Sequence, residues 1–269
     1  MSESQEKALP VSSSTPQVFA PEQVALYVEV LNHFLAQGIP FAVSGAFALR
    51  EHTGICRDTK DLDLFLTHED VAGALATLQS AGFETEVRDP VWLSKAHRGD
   101  YFVDLITGMS NGAIVVGKDW VERAVDSEVL GVRVKVLAAE ELIVSKLFVT
   151  RRERFDGADI VNVIHGTAGR LDWTRILNLI GEHWMVLLWV LVLFQYVYPA
   201  HSKYVPRAVW TELLSRLNTE LDDADQNAVF RGSLIDDKMF AIDVKEWGMA
   251  DLNEMLRSRL TSSRGGEKR

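Results

Sequence analysis

The sequence contains a single cysteine, Cys56, among its 269 residues. One cysteine excludes an intrachain disulfide, so the fold must depend on its packed core, which fits a reducing compartment. The sequence is also short of positive charge: 28 Lys and Arg stand against 38 Asp and Glu, for a formal net charge of −10. Because nonspecific affinity for duplex nucleic acid comes mainly from Lys and Arg, this balance argues against a protein that coats a duplex, although it permits local contact with RNA.

Signal-peptide features and a full-length membrane span are missing as well. Residues 1–16 are rich in Ser, Glu and Gln, with neither a basic start nor an apolar stretch. The longest uninterrupted apolar run, at 184–194, is about 11 residues, whereas a bilayer requires roughly 18–20. We therefore predict a cytoplasmic protein without a membrane partner, with this run as a buried helix and with disordered tails at residues 1–20 and 261–269.

The hydrophobic pattern divides the rest of the chain near residue 138. The composition, 47% hydrophobic and 25% charged, is typical of a globular protein. Domains usually run about 100–200 residues, so we expect two. Strand-like and helical segments alternate up to residue 137, and helical periods follow. The predicted fold class is α/β (α+β): a mixed β-sheet with flanking helices over residues 21–137, then a helical domain over residues 138–260.

The predicted elements follow from the spacing of apolar residues and from Gly and Pro near their ends. Strands are predicted at residues 39–43, 61–66, 83–87, 101–106 and 131–137. Helices in the first part are predicted at residues 21–37, 46–52 and 68–81. Helices in the second part are predicted at residues 138–153, 158–165, 173–181, 182–197, 207–217 and 244–257.

Two aspartates one residue apart, Asp61 and Asp63, lie in the run Asp-Leu-Asp-Leu-Phe-Leu. On a strand such side chains share a face roughly 6.5–7 Å apart, where they can hold two divalent ions about 3.5–4 Å apart. Ser44, Gly45 and Ala46 form an earlier small-residue turn, whose backbone N–H groups can face a phosphate without obstruction by Cβ atoms. A glycine after a strand is often only a turn, but its spacing to the aspartates favours the phosphate role. The pattern indicates metal-dependent phosphoryl chemistry.

A third carboxylate lies in the predicted strand 101–106. Asp104 is flanked there by apolar residues, and an unpaired buried carboxylate is costly. Its position is explained by a role as metal ligand, or as a general base that accepts the proton of an attacking hydroxyl. The alternatives are a strand-end aspartate satisfied by backbone donors, and Asp100 in its place.

These motifs, in this order, resemble the nucleotidyltransferase superfamily, whose best-known member is DNA polymerase β. The resemblance covers residues 40 to about 165. It implies that Asp61, Asp63 and Asp104 are the catalytic residues and the ligands of Mg²⁺ or Mn²⁺. It also implies that the small-residue turn binds a nucleoside triphosphate.

A narrower resemblance rests on residues 57–63, Arg-Asp-Thr-Lys-Asp-Leu-Asp, which match the Arg-x-Thr-x-Asp-x-Asp form of AbiEii-like toxins and related bacterial nucleotidyltransferases. That branch also carries a helix with Lys, then Arg, then two aspartates, which here are Lys146, Arg151, Asp156 and Asp159. It implies further nucleotide-binding residues, namely Arg57, Thr59, Lys146 and Arg151. It also implies a toxin–antitoxin system with an antitoxin partner.

Residue chemistry alone leaves other roles open for the same side chains. Arg57 can brace the neighbouring carboxylates instead of touching a phosphate. Lys146 can extend along an apolar face without any ligand. Asp156 and Asp159 can simply pair with nearby arginines.

The predicted function is a metal-dependent nucleotidyltransferase that moves a nucleoside monophosphate from an NTP to an acceptor. The sequence does not distinguish RNA, protein and small molecules as that acceptor. The alternative is a catalytically inactive nucleotide-binding or partner-binding module of the same fold. The histidines lack the spacing of zinc ligands, so no zinc site is predicted.

Overall fold

A mixed β-sheet forms the centre of the computed structural model, which describes residues 19–223 and 225–266. Its strands are β1 (Ala42–Val43), β2 (Asp61–Phe65), β3 (Glu84–Asp89), β4 (Leu93–Arg98), β5 (Tyr101–Ile106), β6 (Val125–Val129) and β7 (Val132–Val136). The order across this seven-stranded sheet is β3-β4-β5-β2-β1-β7-β6. A separate hairpin consists of β8 (Thr150–Arg151) and β9 (Arg154–Phe155).

Helices flank the sheet and form the rest of the molecule. Before and between the strands lie α1 (Pro21–Gln37), α2 (Gly45–Thr53), α3 (His68–Ser80) and α4 (Lys118–Glu122). After β7 come α5 (Ala139–Leu147), α6 (Gly157–Gly166), α7 (Trp173–Ile180), α8 (Trp184–Val197), α9 (Arg207–Asp222), α10 (Gly232–Ile235), α11 (Ala241–Lys245) and α12 (Leu252–Gly266). The predicted fold class, a mixed sheet with flanking helices followed by further helices, is confirmed.

The pairing of β2 with its neighbours determines where the acidic residues lie. β2 and β5 are parallel, and Asp63 stands opposite Asp104. On the other side β2 is antiparallel to β1, and the amide of Ser44 donates to the carbonyl of Asp63 at 2.9 Å. Leu62 and Leu64 alternate with the aspartates and are fully buried. One face of β2 therefore anchors the strand in the core, and the other presents carboxylates.

Buried apolar side chains form one connected cluster that extends from α1 to the C-terminal helices. Helices α5 and α6, which follow residue 138, both pack against α2, which precedes it. Leu142 and Ile143 of α5 are completely buried in this cluster. The parts of the chain before and after residue 138 therefore share a core. The predicted division into two domains near residue 138 stays a prediction.

Two strands of the sheet were not predicted. β4 reads Leu-Ser-Lys-Ala-His-Arg and lies between β3 and β5, so cross-strand pairing stabilises it despite its low content of strand-favouring residues. β6 reads Val-Asp-Ser-Glu-Val and lies at the edge of the sheet, where little apolar surface is required. The first strand is also shorter than predicted, since only residues 42–43 of the expected 39–43 pair.

Two predicted helices in the second part are wrong in extent. The helix predicted at 138–153 ends at Leu147, and the chain then forms the β8–β9 hairpin. The single helix predicted at 244–257 is replaced by α11 and α12, and Gly248 between them has a φ of +71°. Left-handed backbone of this kind cannot continue a helix, which explains the break.

Both predicted tails are only partly described. At the N-terminus residues 1–18 lie outside the described residues, whereas the ring of Phe19 stacks on Phe47 with centroids 5.6 Å apart. At the C-terminus, residues 261–266 continue α12, contrary to the predicted tail at 261–269. Residues 267–269 lie outside the described residues.

The apolar stretch Trp173–Val197 passes a test of length and composition for a membrane-crossing helix, with a mean hydropathy of 1.9. In the structure it consists of α7 and α8, separated by the short 3-10 helix Gly181–His183, whose first residue has a φ of +52°. Helix α8 buries Leu187, Leu191 and Phe194, while 49% of Trp189 is exposed. The predicted buried helix therefore has one buried face only, and the absence of a membrane partner stays a prediction.

Candidate active site

Three carboxylates meet where β2 and β5 lie side by side. Ligand oxygens of Asp61, Asp63 and Asp104 all lie within 4.8 Å of one another. Parallel pairing places Asp104 opposite Asp63, and the two-residue spacing places Asp61 on the same face of β2. Asp104 is buried, and the other two are partly exposed. The structure thus brings together the three carboxylates that the sequence selects.

The electrostatics of this cluster are unfavourable without a counter-charge. Burial raises the pKa of Asp63 to about 7, and the charges of Asp61 and Asp104 add to the effect. Burial also raises the pKa of Asp104, against the opposing charge of Lys95. A divalent cation would relieve the repulsion, and an all-carboxylate donor set suits Mg²⁺ or Mn²⁺. The residues present therefore fit the predicted metal.

The small-residue turn lies directly against the carboxylates. Gly45 has a φ of +58°, and a Cβ built there would overlap Oδ2 of Asp63 and lie 2.9 Å from its Cγ. Helix α2 begins at this glycine, so its first N–H groups point toward the cavity that contains the carboxylates. The sequence predicts a glycine for close phosphate approach, and the structure adds a second requirement, which is room for Asp63.

Thr59 lines the cavity and forms a hydrogen bond with one of the carboxylates. Its hydroxyl donates a hydrogen bond to Oδ1 of Asp61. Its carbonyl accepts a hydrogen bond from Nε2 of Gln23 on α1 at 2.9 Å. The same Nε2 donates to the hydroxyl of Tyr27 at 3.1 Å, and burial raises the pKa of Tyr27 to about 12. Thr59 therefore orients Asp61 and is itself held by α1.

Five side chains of alternating charge, here called the charged wall, line the same cavity as the three carboxylates: Arg57, Asp159, Lys146, Asp156 and Arg154. Lys146 Nζ lies 2.7 Å from Oδ2 of Asp156 and 2.8 Å from Oδ2 of Asp159. Arg154 donates two hydrogen bonds to Asp156, both of 3.0 Å, and Arg57 pairs with Asp159. Burial acts to raise the pKa of Asp156, but the hydrogen bonds and charges of Arg154 and Lys146 hold it below its usual value. Both aspartates thus pair with basic side chains, as one of the sequence alternatives proposes.

One cavity of about 420 Å³ is lined by the three carboxylates, the small-residue turn, Thr59 and the charged wall. Every residue that the sequence selects lines it, namely Ser44, Gly45, Ala46, Arg57, Thr59, Asp61, Asp63, Asp104, Lys146 and Arg151. Its volume lies within the roughly 300–1,000 Å³ of small-molecule sites. A larger groove of about 870 Å³, between the end of α1 and strands β6 and β7, is lined by none of the three carboxylates. The predicted site residues share one cavity, and their individual roles stay predictions.

A comparison with protein families agrees with this geometry. The family described as "Nucleotidyl transferase of unknown function (DUF2204)" matches residues 23–183, which include the three carboxylates, the small-residue turn and the charged wall. The chain belongs to this nucleotidyl transferase family. The match supports the superfamily prediction and does not extend to the AbiEii-like branch. No curated protein matches the sequence.

Solved structures of nucleotidyl transferases resemble the chain at low identity. An antigenic nucleotidyltransferase-like protein from Paracoccidioides brasiliensis is 18% identical, with 70% of this chain and 95% of that chain covered and a TM-score of 0.45. The antibiotic-resistance factor ANT(2'')-Ia is 16% identical, with 66% and 94% covered and a TM-score of 0.41. The lincosamide antibiotic adenylyltransferase LnuA, bound to lincomycin, is 16% identical, with 53% and 95% covered and a TM-score of 0.38. Similarities of this size say nothing about the substrate of this family member.

Lys95 contacts one of the three carboxylates and was not predicted from the sequence. Its Nζ lies 2.7 Å from Oδ1 of Asp104 and 4.3 Å from the centre of the Phe102 ring. The contact arises because Lys95 and Asp104 are directly opposite each other in β4 and β5. Only the pairing of these strands reveals it, and β4 was not predicted. Asp100, the sequence alternative to Asp104, is exposed in the turn between these strands and does not line the cavity.

Proposed function

We propose that this protein is a metal-dependent nucleotidyltransferase, which transfers a nucleoside monophosphate from an NTP to an acceptor hydroxyl. The observation that supports it most is the convergence of Asp61, Asp63 and Asp104 within 4.8 Å in the cavity that also holds the Gly45 turn. Displacement at the α-phosphorus of an NTP requires neutralisation of charge and positioning of the reactants. The cavity combines carboxylates for a cation with backbone and basic donors for phosphates.

Each group has a role in this proposal. Asp61 and Asp63 would hold Mg²⁺ or Mn²⁺, which supplies charge neutralisation at the phosphates when bound. The first N–H groups of α2, at Gly45 and beyond, would bind phosphate oxygens. Asp104 would serve as a third ligand or accept the proton of the acceptor hydroxyl. The acceptor oxygen then forms a bond to the α-phosphorus, and the bond to pyrophosphate breaks.

Labelled nucleotides provide the test. Incubation with Mg²⁺ and each of the four α-labelled NTPs should label an acceptor in cell RNA, cell protein or a small-molecule fraction, with release of pyrophosphate. Asp63→Asn should abolish labelling, because it removes one negative charge from the cluster and leaves its shape intact. Asp100→Asn is the matched control, since Asp100 is exposed and outside the cavity. NTP binding without labelling of any fraction would favour the inactive binding module instead.

The narrower proposal of an AbiEii-like toxin rests on the motif at residues 57–63 and on the later pattern of Lys146, Arg151, Asp156 and Asp159. In that motif Thr59 orients Asp61. Expression in a bacterial host should then arrest growth, and Asp63→Asn should relieve the arrest. Unimpeded growth at high expression of the active enzyme would rule out the toxin role and would leave the transferase proposal standing.

A further inference from the structure

The charged wall of the cavity is a row of five side chains whose charges alternate in sign. In order along the wall these are Arg57, Asp159, Lys146, Asp156 and Arg154. Three positive and two negative charges leave one net positive charge on the wall. The two ends of the charged wall are arginines, and its centre is a lysine between two carboxylates.

The centre of the charged wall is buried, whereas its two ends are exposed. The side chains of Lys146, Asp156 and Asp159 are only 10%, 10% and 6% exposed. Those of Arg57 and Arg154 are 45% and 67% exposed. A ligand that enters the cavity therefore meets the arginines more readily than the lysine.

The contacts of Lys146 leave it little capacity for a phosphate. Its ammonium donates a hydrogen bond to Oδ2 of Asp156 at 2.7 Å and forms an ion pair with Oδ2 of Asp159 at 2.8 Å. A phosphate beside it would be the third anion around one ammonium. If the ammonium instead left Asp156 and Asp159, it would leave two buried carboxylates with weakened compensation, which is strongly destabilising.

Arg154 has the capacity that Lys146 lacks. It uses Nε and Nη2 to hold Asp156, so the N–H groups of Nη1 remain beyond this pair of bonds. It also lines the same cavity as Asp61, Asp63 and Asp104, which places its guanidinium near the carboxylate cluster. The hairpin is fixed on both sides, because Arg151, opposite Arg154 in the register, donates to Oγ of Ser110 at 2.6 Å.

We propose that Arg154 contacts the triphosphate of the nucleotide, and that Lys146 is a positioning residue that holds Asp156 and, through it, Arg154. This inference rests on the proposed function. It assigns a different role to Lys146 from the phosphate contact implied by the sequence resemblance. It also adds Arg154 to the nucleotide-binding residues.

Binding of inorganic tripolyphosphate and of NTPs, measured by calorimetry with Mg²⁺ on the full chain, tests the role of Arg154. Arg154→Gln should weaken both affinities by about tenfold, as expected for loss of a charge-assisted hydrogen bond. Arg152→Gln, an exposed arginine on the same hairpin, should change them by less than about twofold. Equal affinities in Arg154→Gln and Arg152→Gln would overturn the inference. A wild-type protein that binds neither probe would overturn the proposed function itself.

A charge-balanced double variant tests the role of Lys146. Lys146→Met alone should lower the melting temperature, because two carboxylates lose their shared partner. Lys146→Gln combined with Asp159→Asn removes one charge of each sign, so it should recover most of that stability and bind tripolyphosphate within about threefold of wild type. A stable double variant with a loss of tenfold or more would make Lys146 a phosphate ligand and overturn the inference. If the double variant does not fold, the comparison of Arg154 with Arg152 decides.

Discussion

The backbone of Gly45 lies so close to the side chain of Asp63 that no Cβ atom fits at position 45. A Cβ at position 45 would overlap Oδ2 of Asp63 and lie 2.9 Å from its Cγ. The turn that begins α2 and the strand that carries the carboxylates are therefore fitted to each other. Position 45 must therefore be a glycine to leave room for Asp63, as well as to let a phosphate approach the backbone.

Gly45→Ala should displace Asp63 and reduce nucleotidyl transfer by about a hundredfold, since misplacement of a catalytic group by about 1 Å has effects of that size. Kinetics with saturating Mg²⁺ and NTP provide the measurement. The matched control is Gly38→Ala, because Gly38 has a similar φ of +64° and no atom of the described residues within 4 Å of a built Cβ. Both variants should lose stability through backbone strain, of about 1 kcal/mol. Transfer that remains normal in Gly45→Ala would show that Asp63 tolerates displacement.

Thr59→Val should reduce the turnover rate by about tenfold, because Asp61 loses the hydroxyl that orients it. Thermal stability should change little, since the backbone carbonyl of Thr59 still accepts from Gln23. The diagnostic measurement is the Mg²⁺ concentration at half-maximal rate, which should rise. Thr85→Val on β3, whose hydroxyl contacts only Gln79 among the described residues, is the control and should keep both values.

Lys95→Met should lower the turnover rate by about tenfold while NTP affinity stays the same. Lys95 touches Asp104 and not the charged wall, so its loss should affect the chemical step rather than nucleotide binding. The control is Lys135→Met at the far edge of the sheet, since the polar partners of the Lys135 ammonium among the described residues are Ala124 and Asp126. A parallel loss of NTP affinity in Lys95→Met would place Lys95 at the nucleotide instead.

The raised pKa of Asp63 predicts a pH-dependent stability in the metal-free protein. The folded-state pKa is about 7, against an ordinary value of 3.8. Between these values the folded state keeps a proton that the unfolded state has released, so stability falls as the pH rises through this window. The melting temperature in EDTA should decrease from pH 5 to 8, and Mg²⁺ should restore it at pH 8. Asp63→Asn should flatten the curve, and an unchanged slope in that variant would refute the assignment.

The sequence predicted the carboxylates because strand periodicity is local. Asp61 and Asp63 must share a face on any strand, and an aspartate amid apolar residues, as at Asp104, must find a partner. Their meeting then required only that β2 and β5 be neighbours.

The partners of those residues could not be predicted, because they depend on cross-strand register and on tertiary packing. Lys95 reaches Asp104 only through the pairing of β4 with β5. Arg154 reaches the cavity only because α5 ends at Leu147 and the chain forms a hairpin, where helical periodicity suggested a continuous helix. The distance between Gly45 and Asp63 likewise depends on how β1 joins α2.

The most direct test of the metal site is Mn²⁺ binding, which needs no knowledge of the acceptor. Electron paramagnetic resonance can count Mn²⁺ bound to the wild-type chain and to Asp63→Asn and Asp104→Asn. We predict binding to the wild type and at least about tenfold weaker binding to both variants, because each loses a carboxylate ligand. Equal Mn²⁺ affinity in all three proteins would contradict a metal site at these carboxylates.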